Sequence, residues 1–214
     1  VRVSLLQRSM LIPYRYTLAA IAHDKALGML RPMYYDYPSN ENAYSGHYNS
    51  LPQYMLGDSI LVAPPYTELQ ISTNLTSNAK PYGIWLPTDV AWVPLFNTSV
   101  HLPTVNASGW GQVSPLLHQV PAFVKAGSMI PMLPDHLAIL PGSASRSFSN
   151  LEWWVFPTSP GDKSRKVAWC YEDDGLSLDY IRKKKAFVNM TIMKGQESLI
   201  EDRIVKYVLS QSGD

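Results

Sequence analysis

The sequence predicts a mostly β chain that opens with one helix and continues as short antiparallel strands. Three observations predict this fold class. The 214 residues include 17 prolines, 13 tyrosines and 6 tryptophans; proline interrupts long helices, and aromatic residues favour pleated surfaces. Apolar residues recur at helical spacing between Val3 and Leu27. From Tyr54 onward, short apolar runs are separated by turn signals, which is typical of an antiparallel sandwich.

The first elements are a helix and a short apolar run. Val3 to Leu27 has the helical pattern, and Gly28 follows it at the position expected for a C-cap. Pro13 is expected to kink or divide this helix, because proline lacks an amide hydrogen. The apolar, aromatic run Met29–Tyr37 predicts a buried strand. A helix followed closely by a buried strand is half of a βα repeat, which suits a parallel sheet or a barrel.

The rest of the chain predicts strands and turns. Residues 39–50 are polar and rich in turn formers, so we expect a loop there. The strands predicted before the polar break at 141–150 are Ser59–Ala63, Tyr82–Leu86, Ala91–Phe96, Ala122–Lys125 and Met129–Met132. Those predicted after it are Leu151–Phe156, Lys166–Tyr171, Ser177–Tyr180, Ala186–Met193 and Ile204–Leu209. Asp173-Asp174-Gly175 predicts a tight hairpin, because Asp and Gly tolerate positive φ.

Charge and hydropathy exclude several classes of partner. Lys and Arg number 18 against 17 Asp and Glu, a net charge of +1, so the broad basic field that binds nucleic acid is absent. The basic run at 182–185 is favoured as a solvated strand end over a phosphate site. No stretch approaches the roughly 20 apolar residues of a membrane span, and no signal peptide opens the chain. Because Val1 begins inside an amphipathic pattern, we expect an upstream portion to precede it.

Four glycosylation acceptor motifs indicate the secretory pathway. They begin at Asn74, Asn97, Asn106 and Asn189, and none has proline in its middle position. We therefore expect a lysosomal, ER-lumenal or extracellular protein. The single cysteine, Cys170, cannot form an internal disulfide. It is either a buried small hydrophobe or the partner of a thiol on another chain.

A search for catalytic sets finds mostly absences. The sequence has no His-Glu-x-x-His pattern, no nucleophile elbow and no phosphate-binding glycine loop. One cysteine excludes a thiolate zinc site. The isolated histidines are expected in loops or in the core; they are His23, His47, His101, His118 and His136. We expect no catalytic residue, no cofactor and no metal ligand on this chain.

Some carboxylates and aromatic residues remain as candidates. Glu172, Asp173 and Asp174 are expected to splay outward on one turn, and turn chemistry is favoured over catalysis or a calcium site. Asp36, on the predicted strand, could approach a barrel mouth, but a structural salt bridge is favoured. The aromatic residues at 34, 35, 37, 153 and 154 could stack on sugar rings; core and interface packing is favoured for them.

Six segments in order resemble the C-terminal third of glycoside hydrolase family 31, the α-glucosidase-type enzymes. The resemblance covers nearly the whole chain, and Lys125 departs from it, since arginine is commoner there. The segments are Leu11–Ala19, Arg31–Pro38, Gln53–Pro64, Ile84–Pro87, Val120–Pro131 and Tyr171–Gly175. The resemblance implies that residues 1–50 are the last helix and strand of a (β/α)₈ barrel, residues 51–137 a proximal β-sandwich and residues 138–214 a distal one.

The resemblance also implies a function. Members of the family hydrolyse α-glycosides with retention, using two aspartates on earlier barrel strands. None of the motifs around those aspartates occurs here, so the chain alone is expected to be inactive. The expected partners are the N-terminal portion of the same enzyme and an α-linked saccharide. A catalytically silent relative and a carbohydrate-binding module remain open as alternatives.

Overall fold

The computed structural model describes residues 2–44, 52–65, 81–96, 109–115, 119–134, 138, 150–156, 166–173, 177–178, 186–192 and 205–210. Strands predominate and helices are few, so the mostly β prediction is confirmed. The chain divides into two compact units. One comprises Val1–Leu27 with Gly127–Asp214, and the other comprises Gly28–Ala126.

Two helices open the chain. They are α1 (Arg2–Met10) and α2 (Ile12–Lys25), separated at Leu11. The division predicted from Pro13 is confirmed: this proline lies in the first turn of α2, where a missing amide hydrogen removes no helical bond. The C-cap prediction is wrong, because Ala26 rather than Gly28 takes the left-handed conformation, with φ 54°. Ala26 holds it although a Cβ makes this region unfavourable.

The Gly28–Ala126 unit contains a five-stranded sheet and a two-stranded ribbon. The sheet has the order β1-β2-β3-β7-β5, and the ribbon pairs β4 with β6. Each of these pairings is antiparallel. The strands are β1 (Leu30–Pro32), β2 (Tyr54–Leu56), β3 (Ile60–Val62), β4 (Tyr82–Trp85), β5 (Trp92–Pro94), β6 (Trp110–Val113) and β7 (Ala122–Lys125).

The other unit combines the two helices with two antiparallel groups of strands. The first group has the order β12-β9-β8, and the second pairs β10 with β11. Helix α2 packs against β10 and β8. The strands are β8 (Met129–Met132), β9 (Asn150–Val155), β10 (Lys166–Glu172), β11 (Ala186–Ile192) and β12 (Val205–Ser210). Strand β8 agrees with a strand predicted before the polar break, and β9 to β12 agree with four of the five predicted after it.

The predicted buried strand over 29–37 is wrong in extent and in burial. Strand β1 has three residues, and Leu30 within it is 63% exposed. Pro32 then leads directly into a one-turn helix, α3 (Met33–Asp36), in which the Tyr37 amide donates to the Met33 carbonyl at 3.0 Å. Within this chain β1 pairs antiparallel with β2, with Leu30 opposite Leu56. An apolar run of this length does not distinguish a strand from a helix.

Asp174 and Gly175 of the predicted hairpin lie outside the described residues. Strand β10 pairs with β11, and Glu172 lies opposite Ala186. Ser177 and Leu178, predicted to begin a strand, form an exposed bend. The predicted loop at 39–50 contains a 3₁₀ turn at Glu41–Ala43; residues 45–50 lie outside the described part of the chain.

A buried glutamine joins the sheet and the ribbon of the Gly28–Ala126 unit. The side chain of Gln53, 7% exposed, donates to the Trp85 carbonyl at 2.7 Å and accepts from the Trp85 amide at 2.9 Å. It therefore pairs with Trp85 as a neighbouring strand would, and leaves neither backbone group unsatisfied. Around it lies a buried core that includes Met55, Leu61, Ile84 and Phe123.

Within the described ranges, no helix is both long and apolar enough to cross a bilayer.

Substituting Gly109 should destabilise the β4–β6 ribbon. Gly109 has φ +74°, and a Cβ built on it would lie 2.2 Å from the Leu86 carbonyl oxygen. The same glycine accepts the Leu86 amide at 2.8 Å, so the backbone has little freedom to move away. We expect Gly109→Ala to lower the free energy of unfolding by at least about 2 kcal/mol, measured by urea denaturation.

Gly83→Ala is the matched control on the same ribbon. Its added Cβ would find its nearest atom, the Gly111 carbonyl oxygen, at an ordinary 4.0 Å. We expect this variant to stay within about 1 kcal/mol of the wild type. Equal stability of the two variants would contradict the close approach at Gly109.

Candidate functional site

The described histidine and carboxylates do not assemble a catalytic or metal set. His23 lies on α2 with its side chain 72% exposed, and its Nδ1 is 3.0 Å from Asp24 Oδ1. The other four histidines, at 47, 101, 118 and 136, lie outside the described residues. Among the residues that are described, no three His, Cys, Asp or Glu side chains form a group that could hold a metal ion.

The turn from β1 into α3 contains a largely buried ion pair. Arg31 Nη2 lies 3.1 Å from Asp36 Oδ1, and the two side chains are 11% and 17% exposed. The salt bridge predicted for Asp36 is therefore confirmed. Burial raises the pKa of the Asp36 carboxyl above its ordinary value, although the charges of Arg31 and Lys125 act in the opposite direction. A glycosidase needs two carboxyl groups at its reaction centre, whereas here a single carboxylate is paired with a guanidinium. The Arg31–Asp36 pair is therefore structural.

Several polar atoms of this turn are buried without a hydrogen-bond partner among the described residues. They are Arg31 Nε and Nη2, Asp36 Oδ2 and Tyr37 Oη. Arg31 Nη2 is at ion-pair distance from Asp36, but its N–H does not align for a hydrogen bond. Buried polar groups are nearly always hydrogen-bonded in complete proteins. Apart from the ion-paired Arg31 Nη2, three such atoms lie on this one turn.

Lys125 lies between aromatic rings next to this ion pair. Its ammonium nitrogen is 5.4 Å from the ring centroid of Tyr37 and 5.9 Å from that of Trp92. Tyr37 in turn packs edge-on against Trp85 at 5.7 Å. Burial, followed by the charges of Asp89 and Asp36, raises the pKa of Tyr37 far above its ordinary value. The phenol therefore remains protonated and available as a donor.

The aromatic candidates divide into packed and exposed residues. Trp153 is fully buried and Trp154 is 7% exposed, while Tyr37 packs against the core, so the packing prediction is confirmed for these three. Tyr34 and Tyr35 are 49% and 50% exposed and do not lie in the core. The Tyr34 ring stacks on Tyr44, and the Arg31 guanidinium lies 5.9 Å from the Tyr35 ring centroid.

In the other unit, two tyrosines hold the predicted acidic turn. Tyr16 donates to Asp173 Oδ1 and Tyr171 donates to Asp173 Oδ2, each at 2.6 Å. Glu172 is 8% exposed. The prediction that these carboxylates splay outward is wrong for both residues, because the end of β10 is tied down to α2. Asp174 lies outside the described residues.

Cys170 is buried in the same contact between α2 and β10. Its sulfur lies 3.5 Å from Thr17 Oγ1, which donates to the Pro13 carbonyl and accepts the Tyr171 amide. The thiol is free and fully buried, in agreement with the interpretation as a small hydrophobe. Burial raises the pKa of the Cys170 thiol from 9.0 to about 11.

The glycosylation candidates are only partly described. Asn74, Asn97 and Asn106 lie outside the described residues. Asn189 lies in β11, opposite Trp169 of β10.

The sequence did not single out two residues whose side chains hold parts of the Gly28–Ala126 unit together. Tyr44 lies in a segment whose composition indicates only a loop, and Gln53 begins a segment singled out by resemblance alone. Neither has a local signal of its role: Gln53 bonds to Trp85, 32 positions away, and Tyr44 stacks on Tyr34 across the turn between them.

Comparison with known proteins places these residues in a family. Residues 26–130 match the profile described as "Glycosyl hydrolase family 31 C-terminal domain". An alpha-xylosidase of Saccharolobus solfataricus is 22% identical over 192 residues, which cover 90% of this chain and 23% of that protein. The alpha-glucosidase 2 of Bacillus thermoamyloliquefaciens is 30% identical over 169 residues, which cover 79% and 18% of the two chains.

A solved structure gives the same result. The family 31 dextranase of Flavobacterium johnsoniae superposes with a TM-score of 0.66 at 26% identity, covering 89% of this chain and 21% of the dextranase. The chain thus spans less than a quarter of each of these three relatives.

Removing the charge of Asp173 should loosen α2 from β10. Asp173→Asn keeps the shape of the side chain but replaces one acceptor oxygen with a donor. We expect the free energy of unfolding to fall by about 1.5–3 kcal/mol, the range for hydrogen bonds to charged groups. The measurement is urea denaturation, monitored by tryptophan fluorescence.

Asp24→Asn is the control. Asp24 lies on α2, the helix that carries Tyr16, and its side chain is 45% exposed. Its effect on the free energy of unfolding should stay within about 0.5 kcal/mol. The double variant with Tyr16→Phe should lose less than the sum of the two single losses. Strict additivity would show that Tyr16 and Asp173 do not interact.

Alkaline pH should destabilise the unit that contains Cys170. The thiol of the unfolded chain ionises near 9.0 and that of the folded chain near 11. The contribution of the protonated Cys170 thiol to the free energy of unfolding is therefore fully present below the lower pKa. It is lost as the pH rises towards the higher pKa. The total loss amounts to up to about 2–3 kcal/mol from this group. Cys170→Ala should remove that part of the slope between about pH 8 and pH 11.

The comparison uses pH slopes because the packing lost in Cys170→Ala affects every pH equally. The variant also keeps Tyr171, for which burial raises the pKa far above its ordinary value. If the free energy of unfolding had the same pH dependence in the wild type and the variant, the raised pKa of the Cys170 thiol would be contradicted.

Proposed function

We propose, from the premise that this chain belongs to glycoside hydrolase family 31, that it is the C-terminal portion of a retaining α-glycosidase, specifically an α-glucosidase. The two catalytic aspartates then lie on an N-terminal portion, and this chain supplies barrel closure and β-sandwich scaffold. The match to a family 31 C-terminal domain supports the position of the chain within such an enzyme. The relatives act as a xylosidase, a glucosidase and a dextranase by name, which supports an α-linked saccharide as substrate.

The observation that carries the need for an N-terminal portion is the incomplete surface at β1. Met29 and Leu30 are 37% and 63% exposed, and the unpartnered atoms of Arg31, Asp36 and Tyr37 follow directly. Exposed aliphatic residues beside unsatisfied buried polar atoms are costly when left open. A neighbouring barrel strand would cover the exposed aliphatic residues. We call Met29, Leu30 and these unpartnered atoms the β1 edge.

The domain organisation follows from the same proposal. Residues 1–50 form the last helix and strand of the (β/α)₈ barrel, 51–137 the proximal β-sandwich and 138–214 the distal one. The antiparallel sheet and ribbon after Gly28 support the proximal sandwich. Among the described strands β1 lies at the edge of its sheet, and a barrel strand of the N-terminal portion would pair there.

The four acceptor motifs support passage through the secretory pathway. Glycans at Asn74, Asn97, Asn106 or Asn189 would require a lysosomal, ER-lumenal or extracellular location.

The mass and peptide content of the native protein test the proposal. We expect the material under denaturing conditions to contain, besides this 24.0 kDa chain or fused to it, a portion with two barrel-strand aspartates. It should cleave an aryl α-glucoside, whereas residues 1–214 alone should not. The same peptide map should show glycan mass on at least one of the four acceptor peptides.

Two results would count against this function. A partner portion without the aspartates would make the protein a catalytically silent relative with a structural role. A lone, monodisperse 24.0 kDa species would mean that the β1 edge needs no covering portion.

A further inference from the structure

Lys125 links the turn that follows β1 to the strands β5 and β7. It is the last residue of β7, and it lies opposite Trp92 of β5 in the strand register. Its ammonium nitrogen is 5.4 Å from the ring centroid of Tyr37 and 5.9 Å from that of Trp92. One cation therefore lies against an aromatic ring of the turn and against another of the sheet.

The charge of Lys125 also acts on the carboxylate of the same turn. Burial raises the pKa of the Asp36 carboxyl, and the positive charges of Arg31 and Lys125 lower it. Lys125 thus favours the ionised carboxylate that pairs with Arg31 at 3.1 Å. Asp36 is the last residue of α3 and Tyr37 is its C-cap. A single side chain of β7 therefore acts on both residues that end this helix.

Packing alone gives little reason for a cation between these rings. Methionine has nearly the length of lysine, has no charge to desolvate and packs well against aromatic rings. An ammonium loses hydration when it is partly buried, and a cation–π contact offsets only part of that loss. Replacing a buried charge with an apolar side chain of similar volume is often neutral for stability. A role other than stability is therefore the better explanation of Lys125.

The place of the turn in the proposed barrel indicates such a role. In a (β/α)₈ barrel, substrates bind at the carboxyl ends of the strands. Under the proposed function β1 is the last barrel strand, and α3 follows its carboxyl end directly. The turn then lies on the substrate side of the barrel, and β7, which carries Lys125, belongs to the proximal sandwich.

We propose that Lys125 is a positioning residue for the hydrolysis: from the proximal sandwich, it fixes the turn after β1 on the substrate side of the barrel. The inference rests on the proposed function and adds a part in substrate binding to the scaffold role of the sandwich. Lys125 acts through Tyr37 and Asp36 and not on the substrate itself. Without its charge the turn fits the saccharide less well, whereas the two catalytic aspartates of the N-terminal portion keep their positions.

The test compares the steady-state kinetics of the full-length enzyme and its variants on an aryl α-glucoside. We expect Lys125→Met to raise KM about three- to tenfold while kcat stays within about twofold of the wild type. A merely structural role would lower kcat with the fraction of folded enzyme and leave KM unchanged. Lys125→Arg should keep KM within about twofold of the wild type, because arginine retains the charge and stacks on aromatic faces.

Two further variants control for charge and for folding. Lys25 is exposed at the end of α2, so Lys25→Met should leave both kinetic constants unchanged. Lys125→Gln is a second neutral variant and should raise KM as Lys125→Met does. Urea denaturation should give the neutral variants midpoints close to that of the wild type. If both failed to fold while Lys125→Arg folded, the charge would serve stability and the proposal would be overturned.

The kinetic outcomes separate this inference from the proposed function. An active wild type with an unchanged KM in Lys125→Met would overturn the role of Lys125 and leave the proposed function standing. A rise in KM for Lys125→Arg equal to that for Lys125→Met would also overturn it, since the charge would then have no part. A wild type that cleaves no α-glucoside would overturn the proposed function, and this inference with it.

Discussion

The ion pair between Arg31 and Asp36 is the constraint on which the arrangement of residues 29–44 depends. Both side chains are largely buried, so each charge is strongly destabilising unless the other stays within reach. The chain meets this requirement by ending β1 at Pro32 and winding through one turn of helix, which returns Asp36 to Arg31. Removing either partner alone would leave an uncompensated charge, a loss of about 3–5 kcal/mol in comparable sites.

That single turn of helix also distributes the aromatic side chains. Met33 enters the core, Tyr37 packs edge-on against Trp85, and Tyr34 stacks on Tyr44. A continuous strand would have placed alternate residues on two faces only. The short helix provides more directions, so one segment contributes to the core, to the β1 edge and to the stacked pair of Tyr34 and Tyr44.

Sequence patterns predicted the strands well wherever alternation and flanking turns were clear. Strands β7 and β8 were predicted with their observed bounds, and Pro13 marked the division between α1 and α2. Strands β2 and β6 were missed because they have only three and four residues, too few for a period to be visible. The run at 29–37 was mistaken for a strand because its apolar composition fits both elements.

The candidate sites were harder to predict, because their contacts are distant in sequence. Tyr16 and Asp173 are 157 positions apart, so turn chemistry described Asp173 locally and missed the hydrogen bonds that hold it. Tyr34 and Tyr35 look alike as neighbours in sequence, and only the direction of each ring separates them. The stacked partner of Tyr34 is supplied by a polar turn whose composition indicates nothing more than a loop.

Exposure of Tyr44 has a cost that its hydroxyl helps to offset. Packing against another ring stabilises an aromatic side chain that is exposed to water, and Tyr34 covers one face of the Tyr44 ring. The hydroxyl donates to the Pro38 carbonyl at 3.0 Å, which ties the ring to the backbone before the 3₁₀ turn. A residue held in this way keeps apolar area open at a fixed angle.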